Sequence, residues 1–168
     1  MNPHPEHPLR DSKAGFTVVE LVIVIVVLGI VSAYAMMKAA SPAELSLPSQ
    51  AQKLAGDIRH AQTLAYTSGK HLRLTITPGV NGTYQVSSCV TVNGVVTSCP
   101  TTVFSGGVQE GVALQVVAGP NPLDFTSLGQ PSAAASYRLA SSSTVKVSVA
   151  ALTGLVHVCP PDPAGTCP

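Results

Sequence analysis

The chain contains no tryptophan, few aromatic residues (4%) and few charged ones (10%), and its formal net charge is +1. That balance excludes a strong global field for nucleic acid or an acidic substrate. Patterns that carry chemistry are missing as well. There is no C-x-x-C pair and no glycine-rich phosphate loop. Ser141-Ser142-Ser143 reads as a turn rather than a nucleophile elbow. His60, His71 and His157 stand apart from one another, His4 and His7 precede the first apolar run, and the carboxylates are scattered. No catalytic residue, metal site or cofactor is nominated, and the chain reads as a non-enzyme. Its 168 residues suffice for one domain with a modest core plus an appendage.

Four cysteines are present: Cys89, Cys99, Cys159 and Cys167. An even number behind a membrane-type segment points to disulfides in an oxidising compartment. Three pairings are possible. The local one, Cys89–Cys99 with Cys159–Cys167, closes one hairpin and one terminal loop and is preferred. A zinc site is the competing reading; only His157 lies near a cysteine, and the ligand spacing is wrong.

The N-terminal part carries the strongest signal. From Phe16 to Met37 the residues are almost all apolar, long enough for the roughly 20 residues a bilayer span needs. Ser32-Ala33-Tyr34-Ala35 has the small-x-small form of a signal-peptide cleavage site. Glu20 argues against a disposable signal. A carboxylate at the centre of a bilayer costs on the order of 2.5–3.5 kcal/mol, so Glu20 either snorkels to the headgroups or has a partner.

Gly15-Phe16-Thr17-Val18-Val19-Glu20-Leu21, running into Val22-Ile23-Val24, closely resembles the class III signal of type IV prepilins and type II secretion pseudopilins. The resemblance implies that prepilin peptidase cuts between Gly15 and Phe16 and methylates the Phe16 amine. Residues 1–15 are then a removed leader, and 16–40 a transmembrane helix that later enters a filament core. Cleavage frees an amine four residues before Glu20. In a helix bundle, the Glu20 carboxylate of one subunit can meet the Phe16 ammonium of the next. The pair offsets the desolvation of both charges and fixes axial register, as one buried polar residue does in a coiled coil.

Residues 41–168 form the expected globular part. Ser41-Pro42-Ala43-Glu44 is a capping box with proline at the first helical position, and Ser49-x-x-Gln52 repeats the signal after Pro48. The helix is therefore expected to be interrupted between about 40 and 49 and to run over about 49–68. Leu54, Ile58, Ala61 and Ala65 make one apolar stripe along it. Lys53, Arg59, Lys70 and Arg73 make this the most basic stretch, read either as a solvated face or as a contact face for a subunit or DNA backbone.

Beyond His71 the pattern turns to strands. Leu72, Leu74 and Ile76 alternate with polar residues, and Asn81-Gly82 and Asn93-Gly94 read as hairpin turns. Further strands are expected at 112–118, 137–140, 144–150 and 155–159, with a Thr153-Gly154 turn. The proline-rich tail after Cys159 cannot join a ladder.

Residues 51–65 with Ser68-Gly69-Lys70, and Leu123-Asp124-Phe125-Thr126-Ser127-Leu128-Gly129-Gln130-Pro131, are similar to the helix-to-strand entry and the phenylalanine-x-x-x-glycine loop of the GspH/FimT group of minor pilins and pseudopilins. The implied fold is α+β, a long N-terminal hydrophobic helix packed on an antiparallel sheet domain. The implied function is a minor pilin that initiates or caps a type IV pilus, or alternatively an H-type minor pseudopilin of type II secretion. The implied partners are prepilin peptidase, other pilins or pseudopilins, an inner-membrane assembly platform and membrane lipid. The implied location is the bacterial inner membrane, single-pass with a periplasmic domain, and then the filament. Some FimT relatives bind DNA through a Gly-Arg-x-Arg segment. The matching place here, Gly154-Leu155-Val156-His157, carries neither arginine, so DNA uptake is the weakest of the three readings.

Overall fold

The computed structural model describes residues 17–38, 42–93 and 95–159. They fall into two units, one holding helix α1 (Val18–Lys38) and the other everything from helix α2 (Pro42–Ser68) onward. The two units are described separately.

Helix α1 is an uninterrupted apolar rod. Its 21 residues span about 31 Å at about 1.5 Å per residue, matching a hydrocarbon core of roughly 30 Å. Its large apolar side chains within Val18–Tyr34 are 47–80% exposed.

The second unit is built on α2. The expected stripe of Leu54, Ile58, Ala61 and Ala65 is fully buried, and Leu47, Ala51 and Ala55 extend it toward the helix start. The helix begins at Pro42, where the first capping signal put proline at the first helical position, and it runs on through Pro48 without the interruption expected before about 49. Proline lacks the N–H and costs a helix interior about 3 kcal/mol, so the segment must be held from outside. Leu47 buried beside Pro48 supplies packing. Gln50 supplies a clamp: its Nε2 donates to the Gln109 carbonyl (3.3 Å), and its Oε1 accepts from the Gln109 amide (2.8 Å). The expected cap at Ser41, and any break at 39–41, lie outside the described residues.

Among the described residues nine strands follow, and they form two antiparallel sheets, in keeping with the expected antiparallel sheet domain. They are β1 (His71–Thr77), β2 (Gly79–Val80), β3 (Thr83–Val92), β4 (Val95–Gly107), β5 (Ala113–Ala118), β6 (Leu123–Phe125), β7 (Ala135–Ala140), β8 (Thr144–Val149) and β9 (Val156–Cys159). The first sheet has the order β4-β3-β1-β6 and the second β2-β5-β7-β8-β9. The two-residue strand β2 lies between β1 and β3 in sequence yet pairs with β5, so the chain stitches the sheets together there. Val92 opposes Val95 across the Asn93-Gly94 turn, and Asn93 takes the left-handed φ of 53° that such a turn requires.

Buried residues from α2 and from one face of each sheet make one core. Two loops close on α2 at a single place. Gly129, at φ 78°, sits where a Cβ would meet the Gln62 carbonyl oxygen at 2.7 Å. Gly154, at φ 67°, accepts a hydrogen bond from Gln62 Nε2 at 2.7 Å. Both positions need positive φ and a close approach, which glycine alone supplies cheaply.

Tyr84 and Tyr137 are buried in this core. The Tyr84 hydroxyl donates to Asp57 on α2. Burial, then that hydrogen bond and the Asp57 charge, push the Tyr84 pKa well above its ordinary 10.0; burial alone does the same for Tyr137. The folded state therefore keeps two protons that the unfolded chain releases near pH 10. Stability from these groups is intact below that value and declines as pH rises past it. Denaturation midpoints measured across pH 9–12 are expected to fall above about pH 10, less steeply in Tyr84→Phe than in the parent chain. An unchanged slope disproves the linkage. Ile58→Ala, which removes atoms from the middle of the core, is expected to cost about 2–5 kcal/mol in the same denaturation assay.

Candidate functional site: the capped apolar helix and the stapled domain

The sequence places the processing chemistry at the start of α1. Gly15 and Phe16 lie outside the described residues; Thr17 and Glu20 lie within them. Thr17 caps the helix: its Oγ1 accepts from the Glu20 amide at 3.2 Å, and its carbonyl accepts from the Leu21 amide at 3.2 Å. The threonine of the cleavage motif is thus the N-cap residue of α1, a role that sequence reasoning missed although Thr-x-x-Glu is itself a capping-box signature. Glu20 is the acidic residue of the first turn, where the positive end of the helix dipole favours a negative charge. No described cation pairs with its carboxylate. The arrangement is a pre-formed helix start carrying one carboxylate on an otherwise apolar helix whose described large side chains are exposed.

In the domain, Cys89 and Cys99 form a disulfide across the β3–β4 hairpin, ten residues apart in sequence. Cys159 ends β9 and is not a free thiol; its expected partner Cys167 lies outside the described residues. The β3–β4 hairpin belongs to a run from Leu74 to Gln109 without one acidic or basic residue. Three register shifts interrupt its ladder, Pro100 sits in its edge strand, and Val90, Val92 and Val95 are exposed near its tip. The disulfide holds a hairpin whose distal part has little core beneath it.

The four cations proposed from sequence as one contact face do not act as one. Lys53 is exposed on α2 and Lys70 is exposed in the connection to β1. Arg59, exposed on α2, reaches across to β9, its Nη2 donating to the Val156 carbonyl at 2.8 Å. Arg73 alternates with the buried Leu72 and Leu74, so it projects from the sheet face opposite to α2. There its Nε and Nη2 form a two-point bridge to Asp124, at 2.6 and 2.9 Å. That hydrogen bond, partly opposed by desolvation, raises the Arg73 pKa. Two of the four charges are thus spent on internal contacts, which local sequence could not signal because their partners lie 97 and 51 residues away. Among the described residues, no three His, Cys, Asp or Glu side chains gather as a metal site.

The profile of the family described as type II transport protein GspH matches residues 50–153, the helix and nearly all of both sheets. The chain belongs to the GspH family. The prokaryotic N-terminal methylation motif matches residues 10–36, ahead of that domain. The motif implies processing by prepilin peptidase and assembly with other pilin-type subunits. With one apolar N-terminal helix, this GspH-family chain is a membrane-anchored subunit of the pilin and pseudopilin superfamily with a C-terminal domain. Two solved structures share its fold. One is the minor pseudopilin EpsH from the type 2 secretion system of Vibrio cholerae, with 15% identity and a TM-score of 0.52, covering 68% of this chain and 96% of that one. The other is the type IV minor pilin FimU of Pseudomonas aeruginosa PAO1, with 14% identity and a TM-score of 0.51, covering 74% and 94%. Among curated protein sequences, none matches significantly.

Opening the hairpin bridge tests its structural part. Cys89→Ser with Cys99→Ser is expected to cost this GspH-family domain about 2–3 kcal/mol by the loop-closure account. The loss is to be read by denaturant unfolding, with the fold retained by circular dichroism. No loss in the midpoint means that the hairpin is held by its ladder alone.

Proposed function

We propose that this chain is a minor, low-copy subunit that helps initiate or cap a type IV pilus. The observation that carries this reading is the order of two segments in one chain: a methylation motif at 10–36 and then a GspH domain at 50–153. Residues 16–40 anchor the subunit in the bacterial inner membrane, and 41–168 lie in the periplasm. Prepilin peptidase cuts between Gly15 and Phe16 and methylates the new amine, and residues 1–15 are lost. The assembly platform then lifts the subunit out of lipid. Helix α1 exchanges lipid contacts for contacts with other α1 helices, two environments of similar apolarity. Glu20 sets the axial step by pairing with the methylated ammonium of the adjacent subunit. Once out of water, the pair satisfies both charges, whereas an unpaired Glu20 is costly.

The second reading is a minor pseudopilin of type II secretion. The description of the matching family favours it, and it uses the same processing and the same register pair. DNA binding draws no support from the domain, since Arg59 and Arg73 are engaged internally.

Quantitative mass spectrometry of sheared surface filaments from the native host separates the readings. A small, reproducible ratio to the main subunit is expected. Dominance makes the chain the major subunit. Absence, with the processed chain retained in the envelope, transfers it to the secretion machine. In the same assay Glu20→Ala is expected to lower incorporation by at least roughly tenfold, given the cost of stranding one partner of a desolvated pair. Unchanged incorporation disproves the register role.

A further inference from the structure

Strand β4 is an outer edge of the first sheet, and no described strand pairs with its other side. Along such an edge alternate N–H and C=O groups point outward, which makes it a template for another chain. Proteins guard an edge with charge, proline or bulges. The distal half of β4 carries such guards: Pro100 lies there, and two of the three register shifts fall between Thr101 and Val96. The near half, Thr101–Gly107, has neither charge nor proline. Its one shift leaves Val103 as an extra residue between Thr102 and Phe104. Thr101, Thr102, Val103 and Ser105 are exposed, and Gly106-Gly107 ends the segment in bare backbone.

A cavity of about 310 Å³ opens beside this edge. It is lined by Leu64 of α2, Leu72 of β1, Ser88 of β3, Thr101 and Val103 of β4, and Lys70. Leu72 is one of the buried, core-facing residues of β1, so the cavity lies on the α2 side of the sheet. One turn earlier His60 of α2 covers Phe104, with ring centroids 5.3 Å apart. At Leu64 the helix leaves β4 uncovered, and Val103 is 41% exposed.

We propose that the Thr101–Gly107 edge receives an extended, uncharged strand from a different pilin-type subunit. That strand pairs with β4 through its backbone and lowers one aliphatic side chain into the cavity. The pairing presupposes assembly with other pilin-type subunits and holds for a pilus or a secretion machine alike. Backbone pairing supplies affinity, and the side-chain pocket supplies selectivity. Leu64, Leu72 and Val103 make the cavity apolar, so an aliphatic side chain gains by leaving water there. A second copy of β4 does not qualify as the occupant. The apolar side chains of Thr101–Gly107 are Val103, which lines its own cavity, and Phe104, which packs against its own core. Neither is free to fill the cavity of another copy.

The test is photo-cross-linking in whole cells of the native host, with benzoylphenylalanine placed in turn at Thr102 and Ser105. Both positions are exposed and neither lines the cavity. Cross-links from both to one short segment of a single pilin-type partner are expected, located by mass spectrometry. Ser88→Leu, which fills the cavity from within, is expected to lower the yield at least roughly tenfold, the worth of one buried aliphatic side chain. Ser88→Ala is expected to retain the yield. No cross-link to a pilin-type partner, cross-links to this chain itself, or equal yields from the Ser88→Leu and Ser88→Ala chains overturn the proposal. Incorporation into filaments, counted in the same cells, keeps this failure apart from failure of the pilus reading. Incorporation without cross-links removes the edge contact alone. Cross-links without incorporation support the edge contact and place it in the secretion machine.

Discussion

The domain depends on how closely α2 approaches both sheets at once. Ala51, Ala55, Ala61 and Ala65 leave the helix thin on its inner side, and Leu47, Leu54 and Ile58 fill the spaces between. Removing these side chains from water supplies the main stabilising term. The other long-range features serve the same approach. Gly129 and Gly154 let two loops touch α2 at Gln62, Arg59 fastens β9 to the helix, and the Tyr84–Asp57 bond ties β3 to it. The helix is the common wall of two sheets that the short β2 stitch joins.

The two helices show opposite solutions to the same chemistry. Helix α2 has one apolar side and buries it within the chain. Helix α1 is apolar on all sides, and its described large apolar side chains, Val18 to Tyr34, are exposed. A rod of that kind is satisfied only by lipid or by other helices, and it suits a subunit that must exchange one for the other. Glu20 is the single carboxylate in this rod, and Thr17 fixes where the helix begins relative to it. The distance from the helix start to the carboxylate is thereby set before any neighbour arrives.

With so few charges, the use of each one is informative. Arg73 is matched to Asp124 directly across the β1–β6 pair, and Arg59 serves a backbone carbonyl. The long charge-free hairpin is held by a covalent bridge. On the outer face of the second sheet Arg138 and Lys146 lie opposite each other across β7 and β8.

What the sequence by itself determined is local or periodic. The stripe Leu54, Ile58, Ala61 and Ala65 named the inner face of α2. Leu72, Leu74 and Ile76 gave the phase of β1, Asn93-Gly94 marked the β3–β4 hairpin, and the Gly-Phe-Thr-x-x-Glu run with the GspH-like segments identified the superfamily. Each signal is carried by residues within a turn or two of one another, where spacing alone selects a face. Tertiary structure decided the rest. It divided the strands into two sheets, placed Leu123–Phe125 beside β1 rather than in a free loop, carried α2 through Pro48, and separated Arg73 from the cations of α2. The partners that settled these features lie about 45 to 97 residues apart. Short-range periodicity does not record which distant strand will occupy an edge, because that choice is made by packing against a core that exists only once the chain has folded.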